Sequence, residues 1–228
     1  MNVIVAGQKH FAHEVAEMIA RRPGWQIVGV SCPVGGDRPD RLAEFAQNRG
    51  IPVIPSGSFT AAAARAVAPD LDLIVCAHCH DFIGERLRST ARLGALGYHP
   101  SLLPLHRGRS AIEWAIRMRE RVTGGTVYWM DDVADGGPIA AQRHVFIRPD
   151  DDAATLWRRD LAPLGLELLG EVFDQLDAGT LAAIPQSAEL ATWEPSVEMI
   201  SRMKCRELAS AFGSKQSPGS WAEDGNPR

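Results

Sequence analysis

No apolar run in the chain approaches the roughly 18 residues that a membrane span needs. Its first residues also lack the charged, apolar, small-residue order of a secretory signal. No membrane partner is expected, and the expected compartment is cytoplasmic. Basic charge is short as well: 24 Lys and Arg against 28 Asp and Glu leave a formal net charge of −4. No global positive field exists to gather phosphates, so nucleic acid is not an expected partner. Cysteine is sparse. Cys32, Cys76, Cys79 and Cys205 are too few and too scattered for the framework of a small secreted domain, and reduced thiols are expected. What remains is ordinary for a globular protein: 228 residues, 45% hydrophobic and 23% charged, enough for one sizeable core. The six Trp are read as packing residues.

Apolar periodicity lays out the elements. Asn2 to Ala6 reads as a strand ending at Gly7, and Phe11, Val15, Met18 and Ile19 then recur at helical spacing. Gln26 to Val30 is a second strand, Arg41 to Asn48 a helix stopping near Gly50, and Ile51 to Ile54 a third strand. Ala61 to Val67 is helical. Leu73 to Ala77 is a continuous apolar run of the kind buried on both faces of a parallel sheet. A helix from Glu85 to Arg92, a strand from Leu93 to Tyr98 and a helix from Ser110 to Met118 continue the alternation. That alternation implies right-handed crossovers and a doubly wound, open, mostly parallel α/β sheet. After Thr123 the rhythm changes, and Thr126 to Met130 and Ile139 to Phe146 are expected to pair without an intervening helix. Asp152 to Leu176 reads as a long helix bent at Pro163. Ser, Gly, Pro and charge dominate from about Ser214.

In such sheets, ligands sit beyond the carboxyl ends of the strands. Two loops there carry chemistry: His99-Pro100-Ser101-Leu102-Leu103-Pro104, and Asp135-Gly136-Gly137-Pro138. An imidazole titrates near neutral pH, and a carboxylate can orient it or stabilise its cation. Taken alone, the same residues also fit a hydrogen-bonded loop His and a turn-forming Asp. Cys76-Ala77-His78-Cys79-His80 leaves two readings open. On an extended strand Cys76, His78 and His80 would share a face and suggest a metal; otherwise they are core cysteines and pocket-lining histidines. No second Cys/His cluster follows, so no metal is expected. Gly7-Gln8-Lys9-His10 lacks the further glycines of a dinucleotide fingerprint, although its backbone N–H groups suit an anion. His106, Arg107 and Arg109 form a basic cluster that either holds an acidic part of a substrate or is merely solvated. Trp193-Glu194-Pro195 is expected to anchor the C-terminal segment through its aromatic ring.

His99 to Pro104 with Gly108, Thr123-Gly124-Gly125-Thr126-Val127, and Asp135-Gly136-Gly137-Pro138-Ile139 resemble, in order and spacing, the signature regions of the N10-formyltetrahydrofolate-dependent formyltransferases. The resemblance covers about residues 1 to 180. It implies a Rossmann-like catalytic domain over 1–180; a C-terminal extension over 181–213 is expected to pack on the body, and the composition of 214–228 points to a flexible tail. It further implies transfer of a formyl group from N10-formyltetrahydrofolate to the amine of a small-molecule acceptor, with a homodimer as an assembly to consider. His99 matches the residue that stabilises the oxyanion or relays protons, and Asp135 matches its supporting carboxylate. His78, His80, Asp81, Phe82, Ile83, Leu96, Val133 and Ala134 fall where the family holds the folate. Gly7, Gln8, Lys9, His10, Arg107, Gly108 and Arg109 fall on the acceptor side.

Absences again sharpen the reading. The family usually carries Asn two residues before the motif His, where this chain has Gly97. Loss of one oxyanion donor costs about 3 kcal/mol of transition-state stabilisation. Tyr98, Ser101 and Tyr128 are the auxiliary candidates. Tyr98 points away from His99 if the strand continues, whereas Tyr128 on the neighbouring strand is freer. The Gly-Ser-Asn phosphate motif of the purine-pathway relatives is missing, which weighs against a ribonucleotide acceptor. The additional C-terminal barrel of the tRNA-acting relatives is also missing, which weighs against tRNA. A hydrolase using water as acceptor, and a folate binder without catalysis, are the alternatives on the same scaffold.

Overall fold

The chain runs through β1 (Asn2–Gly7), α1 (Lys9–Ala20), β2 (Gln26–Cys32), α2 (Arg41–Arg49), β3 (Val53–Pro55), α3 (Ala61–Val67) and β4 (Leu73–Ala77). It continues through α4 (Glu85–Arg88), β5 (Ala95–His99), α5 (Ala111–Arg117), β6 (Val122–Trp129), β7 (Ile139–Phe146), α6 (Ala153–Leu156) and α7 (Ala162–Ala178). This computed structural model describes residues 1–197 except Asp37 and Ala182. Residues 1–194 form one unit and a second begins at Pro195. The part of the expected extension after Val197 and all of the 214–228 tail lie outside the described residues.

The seven strands form one sheet in the order β3-β2-β1-β4-β5-β6-β7. β1 to β5 run parallel, while β6 and β7 are antiparallel additions at one edge. β4 shows why the centre is parallel: every residue of LIVCA is buried, as helices on both faces require. Alternation in β1 divides the core, because successive side chains of a strand point to opposite faces. Val3 and Val5 join α1, α2 and α7 residues such as Phe11, Phe45, Leu168 and Phe173. Ile4 and Ala6 join Phe59, Ala64 and Leu87 on the other face.

Helix boundaries follow local chemistry. The Asp40 carboxylate caps α2 by accepting from the Leu42 N–H at 2.9 Å, and Gly50 ends it at φ 66°. Some expected boundaries shift. β3 begins at Val53, and β5 runs from Ala95 to His99 instead of stopping at Tyr98. α4 is a single turn ending at Arg88, and β6 starts at Val122, earlier than expected. The long helix is interrupted by a π-helical turn over Trp157–Leu161, in which the Ala162 N–H reaches back to the Trp157 carbonyl. Pro163 follows directly, in the first turn of α7.

After β1 the chain winds outward through β2 and β3, then returns to β4 on the other side of β1. The carboxyl ends of β1 and β4 therefore flank a switch point, where a crevice is expected. Gly7 belongs there for lack of space: a Cβ on it would lie 1.8 Å from the Ala77 carbonyl oxygen. Among the described residues no helix is long and apolar enough to cross a membrane.

Candidate active site at the carboxyl edge

His99 is the last residue of β5 and lies opposite Thr126 in the antiparallel pairing with β6. Thr126 is buried and fixes the loop beyond. Its hydroxyl donates to the Ser101 carbonyl at 2.7 Å and accepts from the Leu103 N–H at 3.2 Å. The Ser101 hydroxyl is spent inside that loop, donating to the Leu105 carbonyl at 2.6 Å. The loop then delivers the His106 carbonyl to within 2.7 Å of His99 Nε2. A carbonyl only accepts, so Nε2 carries the hydrogen and Nδ1 is the nitrogen left for chemistry. Nδ1 faces Asp135 Oδ2 at 3.6 Å.

Asp135 occupies a left-handed conformation at φ 52° and is held from three sides. The Tyr128 hydroxyl donates to Oδ1 at 2.6 Å, and the Gly108 N–H donates to Oδ2 at 2.7 Å. The Gln186 amide donates to its carbonyl at 2.9 Å. Burial, then the adjacent Asp135 charge, pushes the Tyr128 phenol well above its ordinary range, so it stays protonated. Tyr128 lies directly across from Gly97. A Cβ at position 97 would approach the Tyr128 ring at 3.0 Å and its hydroxyl at 3.2 Å. The phenol thus occupies the space into which an amide at position 97 would project.

Tyr98 points to the other face. Its hydroxyl donates to the Leu161 carbonyl at 2.6 Å and its ring packs on Phe11, which removes it from the site. Leu96 shares that face as a fully buried core residue, so only its backbone is near the edge. Ile83 is buried in the opposite core cluster. Phe82 and Val133 are exposed, at 86% and 55%. Arg88 ties their two loops together, donating to the Ile83 carbonyl at 2.8 Å and to Asp132 Oδ1 at 2.6 Å. Ala134 and Arg109 are exposed.

A second group gathers at the switch point. Gly7, Gln8, His78, His80 and Asp81, all expected ligand residues, line a cavity of about 180 Å³ with Pro33, Ser56 and Cys79. Gln8 hydrogen-bonds His80 Nδ1 at 3.1 Å, and the Asp81 carboxylate accepts from the Gly57 N–H at 3.0 Å. Burial first, then Lys9 and His80, lower the His78 pKa to about 4. β4 ends at Ala77, and His78 turns away at φ 55°, so the shared extended face imagined for Cys76, His78 and His80 does not exist. His99 and Asp135 do not line this cavity. The Lys9 N–H donates to Asp40 at 2.7 Å, while His10 is exposed beside His13 and Glu14. His10, His13 and Glu14 are the one group among the described residues close enough together to hold a metal ion.

The expected anchor at Trp193-Glu194-Pro195 is part of a larger clasp, formed by residues 184–194 around His106 and Asp135, that the sequence did not reveal. Gln186 takes both guanidinium donors of Arg107, at 3.2 and 2.7 Å, while its amide holds Asp135 and Gly137. Thr192 accepts from the His106 N–H at 2.8 Å. The buried His106 ring lies between Glu194 at 3.0 Å and Glu120 at 2.9 Å. Burial works against its protonation, but the two carboxylates outweigh it and the pKa is raised. Glu194 shares the anchoring with Trp193, whose ring is 62% exposed but lies over Gly108, where a Cβ would meet its Nε1 at 2.9 Å. No short motif announces such contacts.

These features define a Rossmann-like α/β protein whose imidazole and carboxylate meet at the carboxyl edge of the sheet. The chain belongs to the formyl transferase family, whose model matches residues 3–169. It is 33% identical over 203 residues to the cytosolic 10-formyltetrahydrofolate dehydrogenase of Xenopus laevis, covering 86% of this chain and 22% of that one. The human cytosolic 10-formyltetrahydrofolate dehydrogenase is 31% identical over 98% of this chain and 26% of its own length. The chain thus spans about a quarter of those relatives. The N-formyltransferase of Helicobacter canadensis, solved with folinic acid and dTDP-3-aminofucose, superposes with TM-score 0.68 at 19% identity, over 84% of this chain and 70% of that one. HypX of Aquifex aeolicus, solved with tetrahydrofolic acid, superposes with TM-score 0.60 at 20% identity, over 90% and 31% of the two chains.

Proposed function

We propose that the chain transfers the formyl group of N10-formyltetrahydrofolate to the amine of a small-molecule acceptor, with His99 and Asp135 as its chemical centre. The observation carrying this reading is the 3.6 Å approach of His99 Nδ1 to a carboxylate that is itself fixed by two donors. The amine attacks the formyl carbon, and His99 Nδ1 takes the proton it sheds. The imidazolium so formed faces Asp135, which stabilises its charge while the Nδ1–H supports the oxyanion. Collapse breaks the bond to N10, which receives the proton. Asp135 serves as a fixed charge, since both its oxygens already accept hydrogen bonds. Phe82 and Val133, on the two loops joined by Arg88, offer apolar surface for the pterin. The cavity is lined by Gly7 and Gln8, expected on the acceptor side, and by His78, His80 and Asp81, expected on the folate side, which suits it to the place where the two ligands meet.

A second reading makes water the acceptor. The relatives matched over nearly the whole of this chain are named for 10-formyltetrahydrofolate with no amine acceptor, which favours it. Incubation with N10-formyltetrahydrofolate and a panel of amines, following formate and formylated amine together, separates the two. Amine-dependent product supports transfer, and free formate without any amine supports hydrolysis. His99→Ala and Asp135→Asn should each lower turnover by at least about 10²-fold while leaving the fold intact. Binding of the formylfolate with neither product overturns both readings.

A further inference from the structure

Cys76 and Cys79 stand in C-x-x-C spacing across the end of β4, and the formyl chemistry above uses neither. The last strand residues are extended, and a bend with His78 at φ 55° separates Cys76 from Cys79. Both side chains pack in the same core cluster, and the Cys79 thiol donates to the Asp81 carbonyl at 3.8 Å. Their surroundings are unequal. Cys76 is buried in the core with Ile74 and Ile83, whereas Cys79 is partly exposed and lines the cavity at the switch point. In β/α proteins such spacing suits thiol–disulfide chemistry when one sulfur is accessible and the other stands behind it.

We propose that Cys76 and Cys79 form a reversible oxidation site, with Cys79 as the reacting thiol and Cys76 as the resolving thiol of a disulfide within the loop. Cys79 is the accessible sulfur, and its interaction with the Cys76 thiol, opposed by burial, lowers its pKa and favours the thiolate, the nucleophilic form. The oxidant class is a hydroperoxide. The Cys79 thiolate attacks its terminal oxygen, an S–O bond forms and the O–O bond breaks, and the departing alkoxide or hydroxide takes up a proton. The Cys76 sulfur then attacks Cys79 sulfur. The S–S bond forms, the S–O bond breaks, and water leaves with the proton from Cys76. Two thiols and one hydroperoxide thereby give a disulfide, an alcohol or water, and a further water, and two electrons pass from sulfur to oxygen. The bond draws the Cys79 sulfur out of the cavity wall and ties the start of loop 78–83 to the core strand.

Cys32 supplies an internal control. It is fully buried, and burial first, then Asp40, pushes its thiol up to about 11. The full chain is treated with hydrogen peroxide, excess reagent is removed, and the remaining thiols are alkylated before and after dithiothreitol. The expected result is a Cys76–Cys79 cross-link in the peptide map, loss of two hydrogens from the intact mass, and full reversal by the reductant. In the untreated native protein Cys79 should be alkylated on the order of tenfold faster than Cys32. Cys76→Ser should leave a sulfenic acid on Cys79 that a cyclic diketone captures. If that variant fails to fold, the wild-type map decides alone. Free thiols at 76 and 79 after oxidation overturn the proposal, as does a link to Cys32 or Cys205, or a cross-link seen only in denaturant. The test does not involve formyl transfer, so its outcome and that of the catalytic reading are independent.

Discussion

Gly97 and Tyr128 share one volume, because a side chain at 97 and the phenol at 128 project into the same space from facing strands. Gly97→Asn should therefore not supply a working amide donor. It should destabilise by about 1–3 kcal/mol through overpacking and lower turnover as Tyr128 is forced off Asp135. Urea unfolding and steady-state rates check both, and Gly97→Asn with Tyr128→Ala should recover most of the stability. Tyr128→Phe keeps the packing and removes only the hydroxyl. It leaves Asp135 Oδ1 without its donor, and kcat should fall by about fivefold with little change in KM, since one net hydrogen bond is worth about 1 kcal/mol. His99 and Asp135 were legible because each sits in a short, ordered motif of its own loop. The exchange of space between 97 and 128 was not, because it depends on the antiparallel register of two strands far apart in sequence.

Elements with uniform chemistry were read well. α3 and β4 have the expected bounds, since an alanine run and an unbroken apolar run each admit one description. β6 was expected to start late because Gly124 and Gly125 weaken any strand signal. Their presence has a tertiary cause. A Cβ on Gly124 would meet the Arg143 carbonyl oxygen of β7 at 2.3 Å, and one on Gly125 would meet the Tyr98 hydroxyl at 2.4 Å. The same ring meets α7 at Gly165, where a Cβ would lie 2.7 Å from Tyr98 and 2.8 Å from Phe11. Tyr98 is thus seated between a strand glycine and a helix glycine, and local propensity carries no trace of that. Gly165→Ala raises helix propensity by roughly 1 kcal/mol in isolation. Here it should instead lower stability by about 1–3 kcal/mol, measured by denaturant unfolding, because the overpacking outweighs the propensity gain.

Over the whole described body, residues 184–194 fasten a late stretch of chain onto the loop that receives the His99 hydrogen, and the fastening carries charge. Two histidines make stability depend on pH in opposite senses. His78, lowered from 6.5 to about 4, favours the fold when neutral, and its contribution is lost as pH falls from 6.5 towards 4. His106, raised above 6.5, favours the fold when protonated between Glu120 and Glu194. Its contribution is complete below 6.5 and is lost as pH rises through the higher folded value. Comparing wild type with His106→Asn cancels His78, which both proteins share. Unfolding free energies measured between about pH 5 and pH 8 should show wild type ahead by most at the acid end, with the gap narrowing towards the alkaline end. Glu194→Gln should shrink the acid-side gap without abolishing it, because Glu120 remains. Since the His106 carbonyl receives the His99 N–H at 2.7 Å, loosening this clasp should also lower turnover before the protein unfolds. A gap constant with pH would show that the two glutamates do not hold a charged ring, and that the clasp acts through packing and backbone contacts alone.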